Sequence, residues 1–123
     1  FFSYFGVFNK KLGTRLLASE QVLSGLSAFL VRDLGWFLLR GKGAPTHVFE
    51  LVAERSEASA ADVRHCEEFA VALRWFQAGD MEIARDAFQN ILDMNPDDGA
   101  SAFFLERCLL NVKHIDGVVI IND

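Results

Sequence analysis

The spacing of the apolar residues changes partway along this chain, and that change restricts the folds that the chain can adopt. Between residues 29 and 52, apolar side chains alternate along the chain, as in strands that bury one face. After residue 65 they recur every three to four positions, as in amphipathic helices. The sequence therefore predicts an α+β chain in which strands come first and helices second.

The first half is predicted to contain an antiparallel hairpin. Residues 29–39 form its first strand, with Leu34, Trp36 and Leu38 on one face, and residues 46–52 form its second. The connection between them, residues 40–45, reads Arg-Gly-Lys-Gly-Ala-Pro, which is typical of a turn. Before the hairpin we expect a helix over residues 1–12, a short strand over 14–18 and a short helix capped by Ser19.

The second half is predicted to form a helical hairpin and one further helix. Gly79 is expected to end the first helix and Asp80 to cap the second. Asn95 is expected to cap the third, with Pro96 at its first helical position. The expected inward-facing residues are Cys66, Phe69, Ala70, Leu73 and Phe76 on the first helix, Ala84, Ala87, Phe88 and Ile91 on the second, and Ala102, Leu105 and Leu109 on the third.

These patterns divide the chain into four segments. Residues 1–53 form the α+β piece, and residues 54–64, which begin with a stretch rich in Ala and Ser, form a linker. Residues 65–111 form the helices. Residues 112–123 form a tail or an edge strand, because 118–121 are all β-branched.

Charge and composition exclude several classes of partner. The net charge of -5 argues against nucleic acid, because binding to phosphates needs a basic face. No apolar run approaches the roughly 20 residues that span a bilayer, and no basic segment precedes an apolar one at the start. We therefore expect a cytoplasmic chain with no membrane segment, in which Cys66 and Cys108 are free thiols.

The start of the chain is unusually aromatic. Phe1, Phe2, Phe5 and Phe8 lie within the first eight residues, a density that is typical of a surface with a partner. We expect the chain to be part of a longer protein. We also expect self-association, through this segment and through open sheet edges.

The helical half is similar to a single tetratricopeptide repeat. The matching positions are Trp75, Gly79, Ala84, Phe88 and Pro96, whereas Glu68 and Ala72 depart from the pattern. In such a repeat, Trp75 and Phe88 would fill the groove between the two helices. Because one repeat offers little concave surface, a structural role is favoured over a peptide-binding groove.

The first half resembles the end of a class III nucleotidyl cyclase catalytic domain. The resemblance lies in residues 9–20, 34–43 and 45–51, and in the order of these motifs before a repeat that ends in residues 96–99 and 105–108. It implies a ferredoxin-type α/β piece that includes the hairpin. It also implies a parent enzyme that makes a cyclic nucleotide from ATP or GTP, with Mg²⁺ or Mn²⁺ held by Asp residues that would precede Phe1.

The resemblance also assigns roles to three residues. Arg40 occupies the position of a Lys that contacts substrate phosphate, and Lys42 stands beside it. Tyr4 falls where the family has an Arg that stabilises the transition state, and a phenol cannot supply a guanidinium. The chain alone is therefore expected to be non-catalytic and to hold no metal or cofactor. The alternative hypothesis is a non-catalytic interaction or dimerisation module of a signalling protein.

Histidine-containing motifs give no further site at this level. His65 and Cys66 lie beside two Glu residues, but adjacent residues on a helix point in different directions, so surface acids around a buried Cys are favoured over zinc. Neither His47 nor His114 can be paired with a nucleophile from sequence alone.

Overall fold

The computed structural model of the chain describes residues 17–39, 43–110 and 117–121. Within these ranges it contains four strands and four helices. In chain order they are β1 (Leu17–Ser19), α1 (Glu20–Leu23), β2 (Phe29–Leu39), β3 (Thr46–Glu54), α2 (Ala60–Gln77), α3 (Met81–Met94), α4 (Gly99–Leu110) and β4 (Val119–Ile121). The predicted α+β class is confirmed, whereas Tyr4, Arg40 and Lys42 lie outside the described residues.

The four strands form one sheet in the order β1-β3-β2-β4. Both β1 and β2 run antiparallel to β3, so the predicted hairpin is present. The last strand, β4, pairs in parallel with the end of β2, with Val119 opposite Phe37 and Ile121 opposite Leu39. The chain therefore returns to its first half after the helices, and β-branched residues form the strand that closes this edge.

The face predicted for β2 is wrong. Leu34 is fully buried, but Trp36 is 39% exposed, and the next buried residue is Phe37. Two buried side chains three positions apart cannot lie on one face of a regular strand, because side chains alternate with a period of two. The strand must therefore contain an irregularity between them.

That irregularity is a β-bulge. Asp33 pairs with Phe49 and Gly35 pairs with Val48, so Leu34 is an extra residue with no partner of its own. Gly35 adopts a φ of 95°, and its N–H donates to the Asp33 carboxylate at 2.8 Å. Because Gly adopts a positive φ at little cost, it allows the strand to change at this point which of its positions face the core.

The first long helix begins earlier than the apolar pattern indicates. It starts at Ala60, so residues 60–64 of the predicted linker are helical. The Ser59 hydroxyl accepts from the Asp62 N–H, and the Asp62 carboxylate accepts from the Ser59 N–H, both at 3.0 Å. This capping box satisfies two free backbone donors and starts the helix before its buried face begins.

The turn between α2 and α3 forms as predicted. Gly79 has a φ of 85°, and the Asp80 carboxylate accepts from the Ile83 N–H at 3.4 Å. On the two helices, Ala84 and Phe88 are fully buried as expected, but Trp75 is 40% exposed and does not fill the groove between them.

The start of α4 differs from the prediction. Asn95 ends α3, because its N–H donates to the Ile91 carbonyl at 2.8 Å, and α4 begins only at Gly99. Its inner face is also different: the buried residues are Ala100, Ser101, Phe104 and Cys108, whereas Ala102 and Leu109 are exposed and Leu105 is half-buried. This helix carries apolar residues on several of its sides, so their spacing in the sequence does not identify the face that is buried.

Helices α2, α3 and α4 cover one face of the sheet and share a hydrophobic core with it. Leu34, Phe37 and Val48 from the sheet belong to the same buried cluster as residues of α2, α3 and α4. Phe104 lies at its centre, within ring-contact distance of Phe37, Phe69, Phe76, Phe88 and Phe103. Edge-to-face and stacked aromatic pairs of this kind add to the free energy of area burial.

None of the helices in the described ranges is long and apolar enough to cross a bilayer.

Candidate functional site

A charged cluster is buried where the helices meet the inner face of the sheet. Arg32 on β2 is only 4% exposed, and it lies directly opposite Glu50 on β3. Its Nη2 contacts Glu50 Oε1 at 2.7 Å, and its Nε donates to the same oxygen at 3.0 Å. Cross-strand pairing therefore brings the first two charges together.

The third charge comes from the start of α4. Arg32 Nη1 donates to Asp98 Oδ2 at 2.7 Å, and Ser101 Oγ donates to the same oxygen at 2.6 Å. Burial by itself would raise the pKa of the Asp98 carboxyl, but hydrogen bonds to His65 and Arg32 and the guanidinium charge hold that pKa well below its ordinary value. Asp98 is therefore ionised throughout the physiological pH range.

Arg32 is stabilised in the charged state by the same contacts. Burial disfavours the charge, but the hydrogen bond to Asp98 and the charges of Glu50 and Asp98 outweigh it and raise the pKa of Arg32. The guanidinium carbon also lies 4.6 Å from the centroid of the Phe69 ring on α2, which adds a cation–π contact.

His65 on α2 completes the cluster. Its Nε2 lies 3.0 Å from Arg32 Nη1 and 3.1 Å from Asp98 Oδ2. One ring nitrogen can accept from Arg32 or donate to Asp98, but it cannot do both, so the ring tautomer decides which hydrogen bond forms. In either state the imidazole bridges α2 to the charges on the sheet and on α4.

An open cleft of about 520 Å³ lies beside the cluster, between β3, the start of α2 and the α3–α4 turn. Its walls are formed by Glu50, Val52, Ala61, Asp62, His65, Met94, Asn95, Pro96, Asp97 and Asp98. The wall is acidic, but Glu50 and Asp98 already contact Arg32. Within residues 17–39, 43–110 and 117–121, no group of three or more His, Cys, Asp or Glu side chains is arranged to hold a metal ion.

A second polar group lies on the opposite face of the sheet. The His47 ring is stacked on Trp36, with the ring centroids 4.6 Å apart, and is tilted against Phe49, with the centroids 4.3 Å apart. Its Nε2 lies 2.8 Å from Asp33 and its Nδ1 lies 3.2 Å from Glu20, so it connects α1 to the hairpin. Both polar partners of His47 are carboxylates, and these two contacts join α1, β2 and β3.

The two cysteines are free, as expected. Burial raises the pKa of the Cys66 thiol, and it raises the pKa of Cys108 to about 11. Both remain protonated thiols at neutral pH, which makes them poor nucleophiles.

The cluster that the structure brings together is one that sequence reasoning missed. The sequence patterns assign no role to Arg32, Glu50 or Asp98, and beside His65 they predict only surface acids around a buried Cys. One feature of the sequence could have indicated the cluster. Arg32 is a charged residue within the long apolar strand 29–39, and Glu50 is a residue of opposite charge within the next strand. Charges in such strands are rarely buried unless they are paired.

Comparison with known proteins adds no relative: no protein-family model, no curated protein and no solved structure matches this chain.

Proposed function

We propose that this chain is the closing part of a class III nucleotidyl cyclase, with a helical tail docked on it. The parent would make a cyclic nucleotide from ATP or GTP for intracellular signalling, in the cytoplasm. The observation that supports this proposal is the hairpin: β2 and β3 occupy the residues at which the resemblance expects two antiparallel strands, joined through the basic Gly-rich connection.

Under this proposal, the described part of the chain is a scaffold. Arg40 and Lys42, which follow β2 directly, are the residues proposed to contact substrate phosphate. As the resemblance implies, Asp residues on strands that precede this chain in the parent would hold the Mg²⁺ or Mn²⁺ ions. Under the same proposal, the chain alone is not catalytic.

The Arg32 cluster supports the docked position of the tail. His65 lies on α2 and Asp98 directly precedes α4, and both contact an arginine of the hairpin. Breaking a buried ion pair by removing one partner is strongly destabilising, so the helices and the hairpin are energetically coupled. A tail held in this way can position the strand that leads into Arg40.

The second candidate is a non-catalytic interaction module. One observation favours it: the fully buried Phe88 and Phe104 of the helices pack in the core shared with the sheet, while Trp75 faces outward. The helices are thus built to pack on the sheet and to leave one outer helix face free for a partner.

The coding sequence upstream of Phe1 distinguishes the two candidates. The cyclase proposal expects strands with two Asp residues there, and expects the extended protein to convert ATP or GTP to a cyclic nucleotide with Mn²⁺. Detection of the product by mass spectrometry is the measurement. An upstream region without these Asp residues, together with no product, would contradict the proposal and favour the module.

The chain alone provides a further check. Titration with ATP and Mg²⁺ by calorimetry should show no binding tighter than about 1 mM, because one basic turn provides only a few kcal/mol. Micromolar binding would mean that the chain carries a nucleotide site of its own.

A further inference from the structure

The outward face of α2 carries apolar side chains in a row. Val71 is 43% exposed and Trp75 is 40% exposed, and they lie one helical turn apart. A groove of about 340 Å³ runs along them, lined by Val71, Arg74, Trp75 and Ala78. Burial of these side chains against a partner would be favourable, because a large aromatic and a β-branched residue would both leave water.

Two opposite charges flank this row on the same side of the helix. Glu67 and Arg74 are seven residues apart, which is close to two turns, and Val71 lies between them. Both side chains are exposed, and neither forms an ion pair within the part of the chain that the structure describes.

We infer that this face of α2 is the contact surface of a homodimer, in which two copies of α2 pack antiparallel around a twofold axis near Val71. In an antiparallel helix pair, equivalent heptad positions of the two helices face each other along each side of the contact. Glu67 of one copy therefore lies beside Arg74 of the other, and the symmetry repeats this ion pair. Val71 and Trp75 pack in the centre.

The charges select this arrangement over its parallel counterpart. In a parallel pair, Glu67 would face its own copy and Arg74 would do the same, and like charges at an interface are unfavourable. An uncharged apolar segment in the groove would leave both charges without partners. A second copy of the same helix is the occupant that complements both the apolar row and its charges.

The expected dimer is weak. An α-helix of the length of α2, 18 residues, extends about 27 Å. A contact of one such helix on another buries less than about 1,000 Å², which is typical of transient association. We therefore expect mostly monomer at about 1 µM and a substantial dimer fraction at several hundred µM.

The proposed surface can be tested by exchanging the charges at positions 67 and 74. Sedimentation equilibrium over this range of concentrations measures how strongly each variant dimerises. Glu67→Arg alone and Arg74→Glu alone each place like charges together twice, so each should weaken dimerisation about fivefold or more. The double variant Glu67→Arg/Arg74→Glu restores opposite charges and should return to the association of the original chain. Rescue in the double variant is specific to the antiparallel pairing.

Two further variants separate this surface from others. Val71→Glu should abolish the dimer, whereas Ile83→Glu, at an equally exposed position on α3 (43%), should leave it unchanged. Circular dichroism shows whether each variant is folded. If Val71→Glu does not fold, the charge-exchange variants still test the proposal. A chain that stays monomeric at several hundred µM, or a dimer that none of the α2 substitutions weakens, overturns the proposal. The outcome does not depend on the cyclase assignment.

Discussion

At the scale of single residues, stability depends on a few charges that are kept out of water. Arg32 is tolerated inside the core because Glu50 and Asp98 both contact it and the Phe69 ring covers its face. Such a cluster is costly to break, because removal of one partner leaves another charge buried without compensation. Its members come from the sheet and the helices, so each of them affects the whole fold.

Asp98→Asn tests this dependence. We expect the free energy of unfolding at pH 7 to fall by about 3 kcal/mol, because Arg32 loses one of its two carboxylate partners. Asp97→Asn is the matched control: Asp97 is adjacent and exposed, so its replacement should cost about 0.5 kcal/mol or less. Urea unfolding gives both values, and equal effects of the two substitutions would contradict the role of the cluster.

The Asp98 carboxylate should also make the free energy of unfolding depend on pH. The pKa of Asp98 is lower in the folded chain than in the unfolded chain, so its contribution is complete above about pH 5 and is lost as the pH falls below about 4. The difference in unfolding free energy between the original chain and Asp98→Asn should therefore narrow from pH 7 to pH 3. A difference that stays constant over this range would show that Asp98 does not act through its charge.

At the scale of elements, local backbone chemistry decided where helices begin and end. The capping box of Ser59 and Asp62 starts α2, and Gly79 with Asp80 separates α2 from α3. These signals depend on neighbouring residues, so they can be read from the sequence. The apolar period begins after the Ser59–Asp62 pair, so periodicity alone places the start of the helix too late.

Gly79→Ala tests the turn between α2 and α3. Gly79 has a φ of 85° and open space around it, so the cost is one of backbone conformation alone. We expect a loss of about 1–2 kcal/mol in unfolding free energy, since an L residue is disfavoured in the left-handed region. Gly25→Ala is the control, because the backbone of Gly25 is not in the left-handed region. A Cβ there would meet only the Val22 carbonyl oxygen, at an ordinary contact distance of 3.7 Å. Thermal or urea unfolding that ranks Gly25→Ala as the more harmful change would refute this account.

At the scale of the whole molecule, the sheet and the helices share one core. Phe104 of α4 contacts Phe37 of the sheet as well as Phe69 and Phe88 of the other helices. The chain also returns to the sheet as β4 after the last helix. The described parts of the two halves are therefore expected to unfold together.

Single-tryptophan variants test this cooperativity. Trp75→Phe leaves Trp36 as a reporter of the sheet, and Trp36→Phe leaves Trp75 as a reporter of the helices. Urea unfolding at about 1 µM, followed by fluorescence and by circular dichroism, should give coincident midpoints within each variant. A fluorescence transition separated from the helical signal would show that the two halves unfold independently.

The features that could be predicted from the sequence alone are local ones. Alternation identified β2 and β3, the 3.6-residue period identified α2 and α3, and Gly79 with Asp80 located their turn, because each of these signals lies within a few residues of the element it specifies. The division into segments and the cyclase resemblance remain predictions from the same source.

The contacts between distant parts of the chain became known only from the three-dimensional structure. After the bulge at Leu34, β2 buries Phe37 and exposes Trp36, and α4 buries Phe104 fully while Leu105 packs against the core only in part. Arg32, His65 and Asp98 came together from three elements that are far apart in the chain. A bulge or a buried charge is stable only when its partners are in place, and the chain order alone does not say which partners those are.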